Sequence, residues 1–446
     1  MERDCVIAGG GPAGLVAGYL LARAGLRVTV LEKHADFLRD FRGDTIHPST
    51  ITLLGELGLR ERFLELPVTR LSSLDTVIDG QRMTMIDFST LRPPDNFLVL
   101  APQWSFLDFL AREAAVFPGF ELRMCTEATE IVTDGDRVVG VRARITAAEP
   151  TEAGVSAADC PAGNAQEGNS RAEDSGARES RAANSGTESS LAAKTVVEFR
   201  APLTVAADGR TSQVRRAAGL MPIELGVAID VLWFSLPKPS NPPPPTLAYL
   251  DGRSMVLTID RGDHYQGGLV IPKGGFDTIR ADGLGAFRRR LTETAPMLAP
   301  VVGTIQDWDQ VRLLSVQVDR LSCWYRDGLI CIGDAAHAMS PVGGVGVNYA
   351  IQDAVALANR VTGPLLHKGS VPLSVLDAVQ RRRARPVRPM QWIQRQAHAR
   401  VGRGGFPRDR ALPRAARAVL SFLRPVVCRV TARAVGRGFL PEHVQH

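Results

Sequence analysis

The sequence predicts an α/β protein in which a parallel-sheet domain is interrupted by a second sheet and followed by helices. Three observations carry this expectation. A short apolar strand, Cys5-Val6-Ile7-Ala8, runs directly into Gly9-Gly10-Gly11-Pro12-Ala13-Gly14. Far downstream another apolar strand, Leu329-Ile330-Cys331-Ile332, runs into Gly333-Asp334. Between them lie apolar segments punctuated by Pro, Gly and Asp, the pattern of antiparallel strands. A chain of 446 residues suits two joined domains better than one.

In chain order, Asp4 to Ala8 reads as a buried strand and Pro12 to Ala24 as the helix after it. Proline fits the first helical turn, and Gly25 fits the C-terminal cap. Leu26 to Leu31 is the next strand, with Glu32 at its carboxyl end. A helix is expected over 48–64 and a second amphipathic one over Gln103 to Ala115. Strands are expected over 121–133 and 137–146, joined by the turn Asp134-Gly135-Asp136. Residues 147–193 are Ala, Ser, Gly, Glu and Arg with almost no large apolar side chain, and read as a disordered insertion. The interrupted strand resumes at Thr195–Phe199. Ile229–Leu236, Thr246–Tyr249, Ser254–Asp260 and His264–Pro272 form the second sheet, and a helix follows over 348–361. The domain expectation is therefore residues 1–224 with 321–365, an inserted sheet domain over 225–320, and basic helices over 366–446.

Composition bounds the rest. Hydrophobic residues are 45% and charged residues 22%, as in globular proteins rather than disordered ones. Cys5, Cys125, Cys160, Cys323, Cys331 and Cys428 share no metal-like or redox-like spacing, so no metal site is expected and a reducing, cytoplasmic setting is. The strand pattern starts too early for a signal peptide, and no apolar run is long enough to span a membrane. The net charge of +6 comes from the C-terminal part, where sixteen arginines from Arg381 onward face only Asp409 and Glu442. No nucleic-acid-binding module accompanies them, so no nucleic-acid partner is expected. Leu412–Val435 would make a basic amphipathic helix, either packed on the protein or in peripheral contact with an anionic membrane.

The glycine pattern is a Rossmann-like dinucleotide fingerprint, and it works by backbone proximity. Gly9 permits the turn, Gly11 lets a diphosphate approach, and Gly14 lets helix and strand pack. The helix N-terminus offers N–H groups to the phosphates. Glu32, eighteen residues after Gly14, is placed for ribose hydroxyls. Such a fingerprint serves NAD or FAD alike. The Gly333-Asp334 segment favours the longer flavin nucleotide, because an acid at that strand end can bond ribityl hydroxyls. Pro341 to Gly346 is a loop without bulky residues, able to run along a flavin edge, and Asn348 opens the following helix.

These two segments, with Asp208-Gly209-Arg210-Thr211-Ser212-Gln213-Val214-Arg215 between them, resemble the group A flavoprotein monooxygenases of the para-hydroxybenzoate hydroxylase type over about residues 3–395. The resemblance implies FAD as cofactor and NADH or NADPH as reductant. It implies O2 and a small hydrophobic or aromatic organic substrate as reactants, with oxygen transferred through a flavin C4a-hydroperoxide. It assigns FAD contacts to Gly9, Gly11, Pro12, Ala13, Gly14, Glu32, Lys33, Arg42, Gln103, Asp208 and Asp334, and to Pro341, Gly346, Val347 and Asn348. The substrate would lie between the second sheet and the flavin, with Trp233, Tyr249, Tyr265 and Gln266 as pocket candidates. No side chain need act as a nucleophile, so none is named catalytic; His47 and His337 read as supports of the flavin loop or as local packing, with proton transfer as the alternative. The competing reading on the same fold is a flavin-dependent reductase or dehydrogenase, for example of prenyl groups. A halogenase is disfavoured, because none of the five tryptophans belongs to a Trp-x-Trp-x-Ile-Pro motif. A non-enzymatic reading makes FAD structural and the basic tail a membrane recruiter.

Overall fold

A computed structural model describes residues 3–38, 45–78, 80–146, 195–243, 248–252, 254–402, 426 and 428–445. Its main sheet has six strands, in the order Tyr325–Arg326, Leu329–Cys331, Leu203–Ala206, Cys5–Ala8, Val28–Leu31 and Phe120–Arg123. Every neighbouring pair is parallel except the first. The four central strands are buried at every residue. That is why they read as continuous apolar runs rather than alternating ones. Cys5 and Ile7 face a core shared with the helices Pro12–Arg23, Gln103–Ala114 and Gly346–Lys368. Val6 and Ala8 face the opposite core, roofed by the antiparallel strands Thr126–Asp134, Arg137–Ile145 and Thr195–Arg200.

The second sheet runs Arg312–Leu314, Ile229–Pro237, His264–Pro272, Met255–Asp260, Ala248–Leu250, Ser73–Ile78, Gln81–Asp87. It differs from the expected 225–320 unit by drawing its last two strands from the first part of the chain. Ser73–Ile78 joins by parallel pairing with Ala248–Leu250, a contact between segments remote in sequence that no local pattern reports. One face carries Leu232, Phe234, Tyr249 and Tyr265, covered by the helices Phe276–Ala281 and Leu284–Thr294. The other carries Val231, Trp233 and Val270, with Leu257 and Ile259 packed beside them.

Smaller differences have local causes. The helix expected over 48–64 is two helices, Pro48–Glu56 and Arg60–Leu64, divided near Gly58 at φ +70°. The strand expected over 121–133 is two strands in different sheets, because the chain turns at Cys125 with φ +52°. The helix expected to open at Asn348 begins at Gly346 and runs to Lys368. The expected insertion over 147–193 lies outside the described residues, as does most of Leu412–Val435. No helix among the described residues is long and apolar enough to cross a membrane.

The long helix Leu373–Gly402 packs along Gly346–Lys368. Arg383, counted among the charges of a basic tail, is instead 1% exposed within that contact. Its Nε donates to Asp353 at 2.8 Å and its Nη1 to the Leu440 carbonyl at 3.1 Å. Arg382 bonds Glu442 at 2.7 Å. The C-terminal residues are thereby tied back onto the main domain.

Candidate flavin site

Three adjacent parallel strands, Cys5–Ala8, Leu203–Ala206 and Leu329–Cys331, deliver the three motifs to one edge of the main sheet. Carboxyl ends of parallel strands are where open α/β sheets bind ligands. Here the motifs also touch. Gly9 has φ +104°, and a Cβ there would meet the Ala207 carbonyl oxygen at 2.4 Å and Asp208 Cα at 2.8 Å. Gly333, at φ +59°, lies against Ala13 and Ala350, each 3.2 Å from where its Cβ would be. Arg210 Nε pairs with Asp334 at 3.0 Å, and Arg215 donates to the Ala335 carbonyl at 3.0 Å.

The fingerprint fits a diphosphate. Gly11 is the N-cap residue just before the helix Pro12–Arg23, and no side chain caps that helix. A Cβ on Gly11 would meet nothing within 4 Å, whereas one on Gly14 would lie 1.9 Å from the Gly9 carbonyl oxygen. Gly14 is thus closed by packing, and Gly11 leaves backbone open for an anion at the positive end of a helix. Pro12 and Ala13 form the first turn beside it. Glu32 Oε2 accepts from Gly10 N–H at 3.0 Å, and Oε1 accepts from His34 N–H at 3.1 Å. The acid is therefore anchored at the end of its strand beside the fingerprint. Lys33 next to it is exposed.

Asp208 has a structural task. Its carboxylate accepts from Ser212 Oγ, Gln213 N–H at 2.8 Å and Val214 N–H at 3.2 Å, capping the helix Gln213–Ala217. Burial pushes its carboxyl upward against those bonds. Arg210 and Arg215, two and seven positions on, make the bridge to the Gly333-Asp334 turn. Asp334 keeps a partly exposed carboxylate there. Gln103 starts its helix half-buried, and Arg42 lies outside the described residues.

The loop Pro341–Gly346 is sewn to the rest of the protein. Asn348 Oδ1 accepts from His47 N–H at 2.9 Å and Thr50 Oγ at 2.7 Å. Its Nδ2 donates to the Thr45 carbonyl at 3.2 Å, and Thr45 Oγ donates to the Gly344 carbonyl at 2.9 Å. Asn348 therefore braces the loop with its side chain, while Pro341, Gly346 and Val347 remain partly exposed. His47 Nδ1 donates to the Val435 carbonyl at 2.9 Å, and burial pulls its pKa down to about 4. His337 pairs with Asp353 at 2.6 Å. Asp353, 0% exposed, also accepts from Gly333 N–H at 3.0 Å, so it fixes the Gly333-Asp334 turn directly. Burial alone would raise its carboxyl pKa, but His337 and Arg383 hold it low.

Three residues of this site escaped sequence reasoning. Gln391 donates to the carbonyls of Asp319 and Ala338, at 2.7 and 3.0 Å. Gln394 accepts from Ser340 N–H at 3.2 Å and donates to the carbonyls of Ser340 and Val342, at 3.1 and 3.0 Å. His398 Nε2 is 2.7 Å from Ser340 Oγ. Their spacing places them on one side of the long helix, gripping the loop that leads into Pro341–Gly346. Their burial was the hidden signal, since glutamines on a basic helix otherwise read as solvent-facing.

The four pocket candidates divide between the two faces of the second sheet. Tyr249 and Tyr265 belong to the face under the helices Phe276–Ala281 and Leu284–Thr294. Trp233 lies on the opposite face, and Gln266, next to Tyr265 in one strand, must share it. A surface cleft of 430 Å³ between Arg60, Arg70 and Phe97 includes none of these motif residues, and its arginines are engaged with Asp95, Glu61 and Phe97.

The family model described as FAD binding domain matches residues 2–158 and 171–392, most of the chain. The chain belongs to the FAD binding domain family. Among similar proteins, 6-methylpretetramide 4-monooxygenase of Streptomyces rimosus is 29% identical over 383 residues, covering 85% of this chain and 80% of that enzyme. Rifampicin monooxygenase of Streptomyces venezuelae is 26% identical, over 84% of this chain and 66% of its own. Among solved structures, the OxyS anhydrotetracycline hydroxylase of Streptomyces rimosus superposes with a TM-score of 0.68 at 22% identity, covering 98% and 76% of the two chains. The myxobacterial chondrochloren halogenase CndH reaches 0.70 at 19% identity, covering 96% and 91%. These two likenesses show the fold alone, and a fold shared by a hydroxylase and a halogenase does not choose the chemistry.

Proposed function

We propose that this FAD-binding protein is an NAD(P)H-consuming monooxygenase of an aromatic, multi-ring organic substrate. The observation that carries the reading is the convergence of three motifs on three adjacent strand ends, with an open Gly11 and a partly exposed Asp334 at opposite motifs. The similar enzymes named for 6-methylpretetramide and for anhydrotetracycline support a fused-ring substrate. Bound FAD would supply the redox chemistry and the activation of O2. The chain's own residues bind, orient and exclude water. Gly11 and the first turn at Pro12–Gly14 would hold the diphosphate, Glu32 the ribose and Asp334 the ribityl chain. The backbone at Gly346–Asn348 would lie along the flavin edge, where a helix N-terminus favours negative charge. The inner sheet face around Trp233 would wall off water from the oxygenation site.

The test is a panel of aromatic polyketide-type compounds given to FAD-reconstituted protein with NADH or NADPH. Substrate-stimulated nicotinamide oxidation with matching O2 uptake supports a monooxygenase. Oxidation that proceeds equally without O2, yielding a hydrogenated product, would establish the reductase reading instead. For the Arg-rich tail, the intramolecular bonds of Arg382 and Arg383 support packing on the protein. Peripheral membrane contact would then fall to its other arginines.

A further inference from the structure

The face of the second sheet that carries Trp233 also carries an amide, Gln266, that the protein serves on one side. Gln266, 3% exposed, stands opposite Ser235 on one neighbouring strand and Ile259 on the other. Its Oε1 accepts from two nitrogens of Arg261, Nε at 3.0 Å and Nη2 at 2.5 Å. A guanidinium offers donors only, so this fork fixes the amide with oxygen toward Arg261 and nitrogen away from it. The nitrogen, Nε2, is buried and has no hydrogen-bond partner. Buried donors are nearly always paired, and one locked in direction yet unmet is suited to an incoming acceptor.

The surroundings point across to the flavin loop. Ile259, beside Gln266, packs on the cluster of Phe88, Leu98 and Leu100. The Phe88 ring lies 6.4 Å from that of His47, whose N–H holds Asn348. Trp233 spreads over Gly268 on the same face, its Cζ3 2.8 Å from where a Cβ would stand. A largely apolar wall with a fixed amide donor matches a planar aromatic ring that carries an acceptor oxygen.

We propose that Gln266 is a specificity-determining residue whose Nε2–H donates to a keto or phenol oxygen of the aromatic substrate, and that Arg261 is a positioning residue that locks the amide. This rests on the reading that substrate lies between this sheet face and the flavin loop.

The experiment uses full-length, FAD-reconstituted protein titrated with 1-indanone, whose keto oxygen only accepts, and with indane, following the flavin absorbance. Gln266→Glu keeps an acceptor for Arg261, so its melting temperature stays close to wild type, but it replaces the donor by an acceptor. Gln266→Leu removes both. Wild type is expected to bind 1-indanone about tenfold or more tightly than indane, the share of one buried hydrogen bond. Both variants should bring the two affinities within about twofold by weakening 1-indanone only. An unchanged preference in Gln266→Glu would overturn the proposal, as would equal binding of both probes by wild type; the donor then serves a water. If neither probe perturbs the wild-type flavin or stimulates NADPH oxidation, the placement of substrate against the flavin fails, and the proposal with it.

Discussion

Substituting alanine at Gly11 and at Gly14 should separate binding from folding within one short motif. At Gly11 the backbone has φ −74° and ψ −176°, which alanine adopts freely, and the new methyl meets nothing within 4 Å. The apoprotein should therefore melt within the range of a neutral surface change, about 0.5 kcal/mol. With FAD bound as proposed, the same methyl would stand where the diphosphate approaches. Losing one charge-assisted bond to a backbone N–H costs about 1.5–3 kcal/mol, which weakens FAD about ten- to hundredfold. At Gly14 the methyl would lie 1.9 Å from the Gly9 carbonyl oxygen and 3.3 Å from Ile7 Cγ2. Helix and strand must separate there, at a cost of about 1–3 kcal/mol or more, whether or not FAD is present. Thermal melting of the apoproteins and fluorescence titration with FAD distinguish the two. A Gly11→Ala variant that binds FAD as tightly as wild type would refute the reasoning.

Arg383→Met leaves Asp353 buried with one charged partner fewer, and should cost about 3–5 kcal/mol together with FAD retention, read as earlier flavin release on heating. Gln394→Leu or His398→Ala should loosen the Ser340–Val342 segment, lowering kcat more than apoprotein stability, with His398→Gln recovering part of the loss. Burial holds His47 near a pKa of about 4 against 6.5 when unfolded. Its contribution to stability is present above pH 6.5 and is lost as the pH falls toward 4, by about 2 kcal/mol at pH 5. His398 is depressed in the same direction, also by burial, so urea midpoints should decline below pH 6.5, and less steeply in His47→Gln.

Much of the candidate site was legible because close backbone approach leaves its mark as glycine. Gly9 and Gly14 are demanded by contacts of 2.4 and 1.9 Å, and nothing larger can stand there. The acids Glu32, Asp208 and Asp334 were legible as strand-end residues. What each does was less so: Asp208 is occupied in capping a helix, and Arg210 and Arg215 carry the link to Asp334 and Ala335. Tertiary pairing hid the rest. Ser73–Asp87 joins the second sheet through a parallel contact with Ala248–Leu250, and Arg383 looks like any tail arginine until Asp353 is placed beside it. The pocket candidates hold a plainer lesson. Neighbouring residues on a strand point to opposite faces, so Tyr265 and Gln266 could never both face the flavin.

The most direct measurement of the central claim is isotopic. Reconstituted protein, NADPH and a substrate found in the panel are incubated under 18O2, and the product is weighed by mass spectrometry. A monooxygenase places one labelled oxygen atom in the product for each NADPH consumed. A product that carries no label, or carries oxygen only from water, contradicts the account.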